Sequence, residues 1–280
     1  MSLQKALDWA EQYIPAIQSY SDKSWPLNYT RVYKLTTAKA NYYLKQHSLV
    51  GKYLQEKRAY QDWAIKLKNT PDLISFDDAN MFLLMTAAKG KLVETNQFSQ
   101  KEMLDIYYKA AGILKDLHAI RLIDNDKLSI SQAYSKRLRA WLPRAKPMVA
   151  QKDIDWVEAR ALEVIPMLDK FQRVACHRDF TARNWLYDGG RVSLIDFEHS
   201  RPDFFLTDLE RLWGSVFTTN LDLKEAFFAA YDCLNDDDIE ILKRTTALWA
   251  LNTISWANEH NDKNFEQHGR QVLRSLQANS

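Results

Sequence analysis

The sequence predicts an α+β protein in two lobes, a smaller N-terminal lobe built on an antiparallel sheet and a larger, mainly helical C-terminal lobe. Three observations lead there. Up to about residue 88, tyrosine-rich and branched residues form short strand-like runs separated by turn signals. Beyond Gly90 apolar residues recur chiefly at helical spacing. The chain has 280 residues, 46% of them hydrophobic, which suits one two-lobed unit with a sizeable core. The expected division is 1–88 and 89–280, and ligands favour clefts in such architectures.

Taken in order, residues 3–17 place Leu3, Leu7, Ala10, Ile14 and Ile17 on one helical face, and residues 21–26, ending at Pro26, break the pattern. Residues 31–35 and 41–45 read as an antiparallel pair, with Lys45 ending the second strand. Residues 52–68 form a helix that carries Glu56 in its first turns. Two further strands, 73–76 and 81–85, are joined by a turn at 77–80 and lead into the short segment Thr86-Ala87-Ala88-Lys89-Gly90. Helices follow at 101–118, 131–142 and 154–168, with four more beginning near Asp208, Leu223, Asp237 and Asn264. Between these groups, residues 174–176 are a buried strand. Residues 185–187 and 192–195 alternate around Asp188-Gly189-Gly190 as a hairpin whose second strand ends at Asp196.

The chemistry concentrates in that last region. The string His177-Arg178-Asp179-Phe180-Thr181-Ala182-Arg183-Asn184 matches the catalytic-loop pattern HRDLxxxN with phenylalanine for leucine, and Asp196-Phe197-Glu198 stands where that pattern expects DFG. An HRD tripeptide alone could be an ordinary loop. Here the acid-to-amide spacing is intact and a hairpin joins the amide to the second acid. Mg²⁺ takes hard oxygen ligands from one or two side chains plus phosphates and waters, which an amide beside a carboxylate provides.

On these residues the chain resembles the aminoglycoside phosphotransferase and choline kinase family, small-molecule kinases of the protein-kinase-like fold. The resemblance implies an ATP- and Mg²⁺-dependent transfer of phosphate to a hydroxyl of a small molecule. Asp179 would take or orient the hydroxyl proton, and Arg183 would support Asp179 or the incoming hydroxyl. Asn184 and Asp196 would hold Mg²⁺ on the phosphates, and Lys45, fixed by Glu56, would grip them. Lys34, Lys39 and Lys52 compete for the lysine role, but Lys45 best fits the strand register. The run from Leu83 to Gly90 resembles the adenine-binding linker, with Thr86 and Ala88 supplying backbone groups and Met85 guarding the pocket. Residues 1–88 would then be the nucleotide-binding lobe and 89–280 the catalytic and substrate-binding lobe.

One departure is plain: all seven glycines lie outside the stretch from Leu27 to Lys45, where protein kinases carry a glycine-rich loop. Thr36 and Thr37 could donate hydroxyls there instead. This departure leaves a catalytically silent nucleotide-binding scaffold as one rival. A protein kinase is the other, opposed by the short step from Asp196 to Asp208, which leaves no room for an activation segment.

Charge is uneven although the net is only +2, a balance that does not argue for nucleic acid or an anionic membrane. Residues 121–152 carry +6 and residues 203–262 carry −8. An acidic wall would suit an amine-bearing acceptor, and Asp203, Asp208, Glu210 and Glu259 are the candidates for it. The triplet Asp236-Asp237-Asp238 reads better as a helix start. Trp249, Thr253 and Trp256 share a helical face. Core packing is favoured for that stripe, but Trp256 and Trp213 stand as substrate-pocket candidates. His118 and His199 receive no role. The N-terminus lacks the apolar core of a signal peptide, and no run is long enough to span a membrane. Two cysteines without metal or disulfide spacing suit the cytoplasm.

Overall fold

The computed structural model describes residues 3–25 and 30–278. The expected break at Pro26, and Leu27 at the start of the glycine-free stretch, lie outside the described residues. The chain forms two compact units, one of residues 1–102 and 182–201, the other of residues 103–181 and 202–280. The stretch 182–201 belongs to the sheet-bearing unit.

The first unit begins with helix α1 (Leu3–Ala10) and strand β1 (Ile17–Asp22). The single helix expected over 3–17 stops early, and Ile17 opens a strand. Pro15 is the reason: it has no N–H to give and pushes the residue before it toward extended backbone. The chain closes with Tyr13 N–H donating to the Ala10 carbonyl at 3.0 Å, and Ile17 N–H finds Glu11 Oε1 at 2.7 Å. Strands β2 (Arg31–Thr37) and β3 (Asn41–Gln46) follow, then helix α2 (Val50–Asp62), β4 (Leu73–Asp77) and β5 (Phe82–Thr86). These strands form one antiparallel sheet in the order β1-β2-β3-β5-β4.

Strand alternation gives the sheet two faces with different contents. Tyr33, Leu35, Leu44, Phe82 and Leu84 pack with Ala6, Leu7 and Ala10 of α1 and with Ile14 just beyond it into a core. Lys45, one residue after Leu44, points to the opposite face. Helix α2 buries Tyr53, Glu56, Ala59 and Tyr60, a three-and-four spacing that sets Glu56 on its inner side.

The short strand β6 (Lys91–Leu92) pairs with β8 of the later hairpin, aligning Lys91 with Tyr187. Just before it, Gly90 has φ +116°, and a Cβ there would lie 2.6 Å from the Tyr187 carbonyl carbon. Only glycine permits that approach.

Helix α3 (Gln100–His118) leads into the second unit, which continues with α4 (Ile130–Ala145), α5 (Gln151–Val164) and strand β7 (Val174–Cys176). Helix α4 opens with a capping box between Ser129 and Gln132. The hairpin strands β8 (Trp185–Tyr187) and β9 (Val192–Leu194) belong to the first unit, and the short strand β10 (Arg201–Asp203) straddles the division. The second unit then carries α6 (Glu210–Leu212), α7 (Leu221–Tyr231), α8 (Asp236–Glu259) and α9 (Lys263–Ala278). Asn235 caps α8, accepting from Asp238 N–H, so the acidic triplet stands in the first turn, where acids are favoured. Among the described residues no helix is long and apolar enough to cross a membrane. Cys176 is buried and Cys233 exposed, and the two form no disulfide.

Candidate active site

In the sheet-bearing unit Lys45 is the centre of a buried charge cluster. Its Nζ lies 2.7 Å from Glu56 Oε1 and 2.6 Å from Asp196 Oδ1. Glu56 is fully buried, and its other oxygen, Oε2, is 3.0 Å from His47 Nε2. Burial works against the Lys45 charge, yet Asp196 and then Glu56 hold its pKa well above the ordinary lysine value. Burial likewise opposes ionisation of Glu56, but Lys45 and His47 bring its pKa below the ordinary value. Lys52, a competitor for the lysine role, instead lies 3.7 Å from Glu198 and 2.7 Å from His199. Glu198 also accepts from Thr30 Oγ1 at 3.2 Å. Although burial opposes its charge, His199, Lys45 and Lys52 hold its pKa far below the ordinary range.

The hairpin explains how Asn184 and Asp196, twelve positions apart, reach one end of a sheet. Trp185 pairs with Leu194, so the preceding and following residues fall side by side, and Ile195 N–H donates to the Asn184 carbonyl at 3.0 Å. The strand stops at Leu194 rather than Asp196, because Asp196 turns out of the extended region to φ +68°. Asn184 is buried, whereas the Asp196 side chain keeps 31% of its exposure. An amide oxygen and a partly open carboxylate are hard donors of the kind Mg²⁺ accepts, so the residue types fit that ion. Arg183 sits half-buried in the 3₁₀ turn Ala182–Asn184.

At the turn between β2 and β3 the threonine hydroxyls serve the turn itself. Thr37 Oγ1 donates to the Ala40 carbonyl and accepts from the Lys39 and Ala40 amides, while Thr36 Oγ1 donates to Asn41 Oδ1. In the expected linker, Met85 is buried and Thr86 ends β5. The Thr86 N–H donates to the Asp72 carbonyl and its hydroxyl accepts from Asp72 N–H, so those groups are committed within the sheet. Ala88 lies beyond the strand, half-buried.

In the helical unit β7 delivers His177, Arg178 and Asp179 to a loop, and Asp208 ties that loop down. Its Oδ2 accepts from His177 N–H at 2.8 Å and lies 3.0 Å from His118 Nε2, and its Oδ1 accepts from Arg178 N–H. Arg178 has φ +64°, a conformation that a non-glycine residue keeps only when its surroundings impose it. Asp208 and Asp203 do so, for Asp203 takes the Arg178 guanidinium as well as Arg137 at 3.0 Å. Asp179 itself is buried and receives Arg211 Nη1 on its Oδ1 at 2.6 Å. Arg211 went unnoticed in the sequence; its one signal was standing as the first base after Asp208.

The acidic wall expected from residues 203–262 is therefore largely taken up inside the protein. Asp208, 1% exposed, holds backbone amides, and Asp203 holds two arginines. Glu210 is buried near Arg137 and Arg178, and burial lifts its pKa to about 8. Glu259 pairs with Arg144. Trp213 is buried with Lys224 Nζ 4.9 Å from its ring centre, and Trp256 stacks on His260 at 4.1 Å.

A lysine in the middle of an antiparallel sheet, clamped by a helix glutamate, puts the chain in the protein-kinase-like class of folds. Within that class it belongs to the phosphotransferase enzyme family, whose sequence profile matches residues 28–242. No curated protein matches the sequence. Among solved structures the chain is similar to the gentamicin complex of APH(2'')-IIa, with 16% identity, a TM-score of 0.70 and coverage of 98% of this chain and 96% of that one. The GDP and kanamycin complex of APH(2'')-IIIa has 13% identity and a TM-score of 0.72, covering 98% and 99%. The choline kinase LicA from Streptococcus pneumoniae has 17% identity and a TM-score of 0.69, covering 98% and 99%. At such identities these likenesses establish the fold.

Proposed function

We propose that this phosphotransferase-family protein moves the γ-phosphate of ATP to a hydroxyl of a small molecule with Mg²⁺ as the metal. The observation that carries the reading is Lys45 joining Glu56 at 2.7 Å and Asp196 at 2.6 Å, a strand lysine made rigid by a helix acid and set beside the candidate metal carboxylate. That arrangement matches what phosphoryl transfer asks of a protein, which is chiefly to position and neutralise phosphate oxygens. Two of the similar structures are described with an aminoglycoside bound, one of them also with GDP, which supports a nucleotide and a small acceptor here.

Bound Mg²⁺ would neutralise charge on the transferring phosphate. Asn184 and Asp196 would be its protein ligands. Lys45 would orient the phosphates, and Met85, the backbone of Ala88 and the carbonyl of Thr86, whose N–H is held by Asp72, would meet the base. Asp179, positioned by Arg211, would take the acceptor proton, a job for which a buried, oriented carboxylate is suited. Arg183 would assist the acceptor side.

The test is thermal shift with ATP plus Mg²⁺, then ADP release against a panel of amines, sugars and alcohols. Stabilisation together with acceptor-dependent ADP release is the expected result. Stabilisation without release on any acceptor points to the silent scaffold, and neither signal removes the reading.

A further inference from the structure

Glu56 is met at both of its oxygens, and only one of the contacts belongs to the lysine–glutamate pair that phosphoryl transfer on this fold employs. Oε1 faces Lys45 Nζ at 2.7 Å, and Oε2 faces His47 Nε2 at 3.0 Å. Lys45 and His47 stand two positions apart in the chain, so along extended backbone their side chains leave the same face of the sheet. His47 lies one residue beyond β3 yet stays in the ladder, its N–H donating to the Met81 carbonyl at 3.1 Å. The strand thus presents two nitrogens to one carboxylate of α2. No motif in the sequence marks the second.

Two features separate His47 from a histidine that only fills core space. Both it and Glu56 are buried, and their facing atoms depend on each other: the contact is not aligned as a hydrogen bond, and neither Nε2 nor Oε2 has a hydrogen-bond partner elsewhere among the described residues. A buried carboxylate oxygen with nothing facing it is costly. Burial does oppose the Glu56 charge, and Lys45 and then His47 draw its pKa below the ordinary value. The other ring nitrogen is engaged as well. Nδ1 lies 3.3 Å from Thr30 Oγ1, which donates to Glu198 Oε2 at 3.2 Å. Thr30 is buried immediately before β2, and Glu198 stands two residues after Asp196. The ring therefore bridges α2 to the start of β2, and through Thr30 to the segment that carries the candidate metal carboxylate. All of these residues belong to the sheet-bearing unit.

Resting on the phosphotransferase reading, we propose that His47 is a positioning residue for the nucleotide phosphates: it fixes the second oxygen of Glu56, and with it the direction in which Glu56 holds Lys45. A carboxylate held at one oxygen alone is free to turn about its last bond and to carry the lysine with it. Held at both, it keeps one orientation, and the ammonium group needs no ordering when the nucleotide arrives. That matters in a chain with no glycine between residues 27 and 45, where backbone amides approach phosphate less freely. His47 itself touches neither phosphate nor acceptor and acts through Glu56.

The experiment measures the Kd for ATP with Mg²⁺ by calorimetry, a readout that needs no acceptor, on proteins first shown to be folded by circular dichroism. His47→Gln keeps a donor near the place of Nε2, toward Glu56, and gives up the Thr30 contact. His47→Asn keeps one near the place of Nδ1 and gives up Glu56. His47→Gln is expected within about twofold of the wild-type Kd and His47→Asn about tenfold weaker. In a Glu56→Ala background His47→Asn should add less than about twofold, because its effect passes through that carboxylate. Should His47→Asn not fold, Thr30→Val releases the other side of the ring and should weaken ATP binding about threefold, again only while Glu56 is present. If His47→Gln and His47→Asn weaken binding equally, if His47→Asn or its substitute Thr30→Val binds ATP as wild type does, or if the loss persists in full without Glu56, the role of His47 is overturned, while ATP binding by the wild-type protein preserves the phosphotransferase reading. Wild-type protein that binds no ATP with Mg²⁺ overturns that reading and the role of His47 with it.

Discussion

Arg211 Nη1 donates to Asp179 Oδ1 across 2.6 Å, with the two side chains only 18% and 8% exposed. The pair leaves the carboxylate one orientation, and the chain supplies it from a three-residue helix turn that follows the loop anchor Asp208. Asp179→Asn should lower kcat by about 10² to 10⁴-fold, the usual contribution of a general base, while ATP plus Mg²⁺ still stabilises the protein. Arg211→Ala should lower kcat on the order of tenfold through misplacement, with Arg211→Lys restoring part of it. A kcat for Asp179→Asn within a few-fold of wild type would falsify the catalytic role.

Lys45→Ala should raise the KM for ATP and lower kcat together, and Glu56→Gln should show a weaker form of both. The variants should also lose stability. Removing one partner of a buried pair typically costs about 3–5 kcal/mol, though His47 at 3.0 Å from Glu56 offsets some of that. Urea denaturation reads the second effect and steady-state kinetics the first. Unchanged ATP kinetics in Lys45→Ala would return the phosphate role to Lys34, Lys39 or Lys52.

Asp196→Asn should abolish the Mg²⁺-dependent part of the ATP thermal shift, because it removes the charge that would hold the cation. A ligand at a hundred times its Kd stabilises by about 2.7 kcal/mol, a shift large enough to see disappear. Asn184→Ala should be milder. An undiminished shift in Asp196→Asn places the metal elsewhere.

Asp208→Ala should act on the fold of the loop. It strips two backbone amides and His118 of their acceptor in a buried setting, at a cost of about 3–6 kcal/mol from the two charge-assisted bonds. The expected readout is a lower Tm and a larger soluble fraction lost on expression. If Asp208 instead faces substrate, Tm holds and acceptor KM rises.

Glu210 gives the pH signature. Its folded pKa of about 8 exceeds the ordinary 4.5, so between those values the folded state holds a proton that the unfolded state has released. Stability contributed by this group is therefore full at acid pH and falls as pH rises through the window from about 5 to 8, by up to a few kcal/mol. Glu210→Gln should flatten the decline relative to wild type in urea titrations at pH 5, 6.5 and 8. Equal slopes for the two proteins refute the buried, protonated acid.

By itself the sequence determined the elements and motifs whose signal is local. Hairpin alternation around Gly189 and Gly190, a strand carrying Lys45 and the spacing from Asp179 to Asn184 are set by backbone geometry over a few residues, and they appear in the structure with β3 running on to Gln46 and β9 stopping at Leu194. The family followed from those motifs. Where local signals competed, only packing and chain chemistry decided, as when Pro15 ended α1 and let Ile17 enter the sheet at its edge. Charge needed the tertiary structure most. Counting acids over residues 203–262 suggests a wall facing a cation, but a count carries no direction. Folding turned Asp203 toward Arg137 and Arg178, Asp208 toward backbone amides and Glu259 toward Arg144. Buried charges are retained chiefly when paired, and their partners are distant in sequence: Arg144 and Glu259 are 115 positions apart, Lys45 and Asp196 151. Which lysine meets Asp196 and which arginine holds Asp179 are properties of those long-range pairings, set when the chain closes on itself.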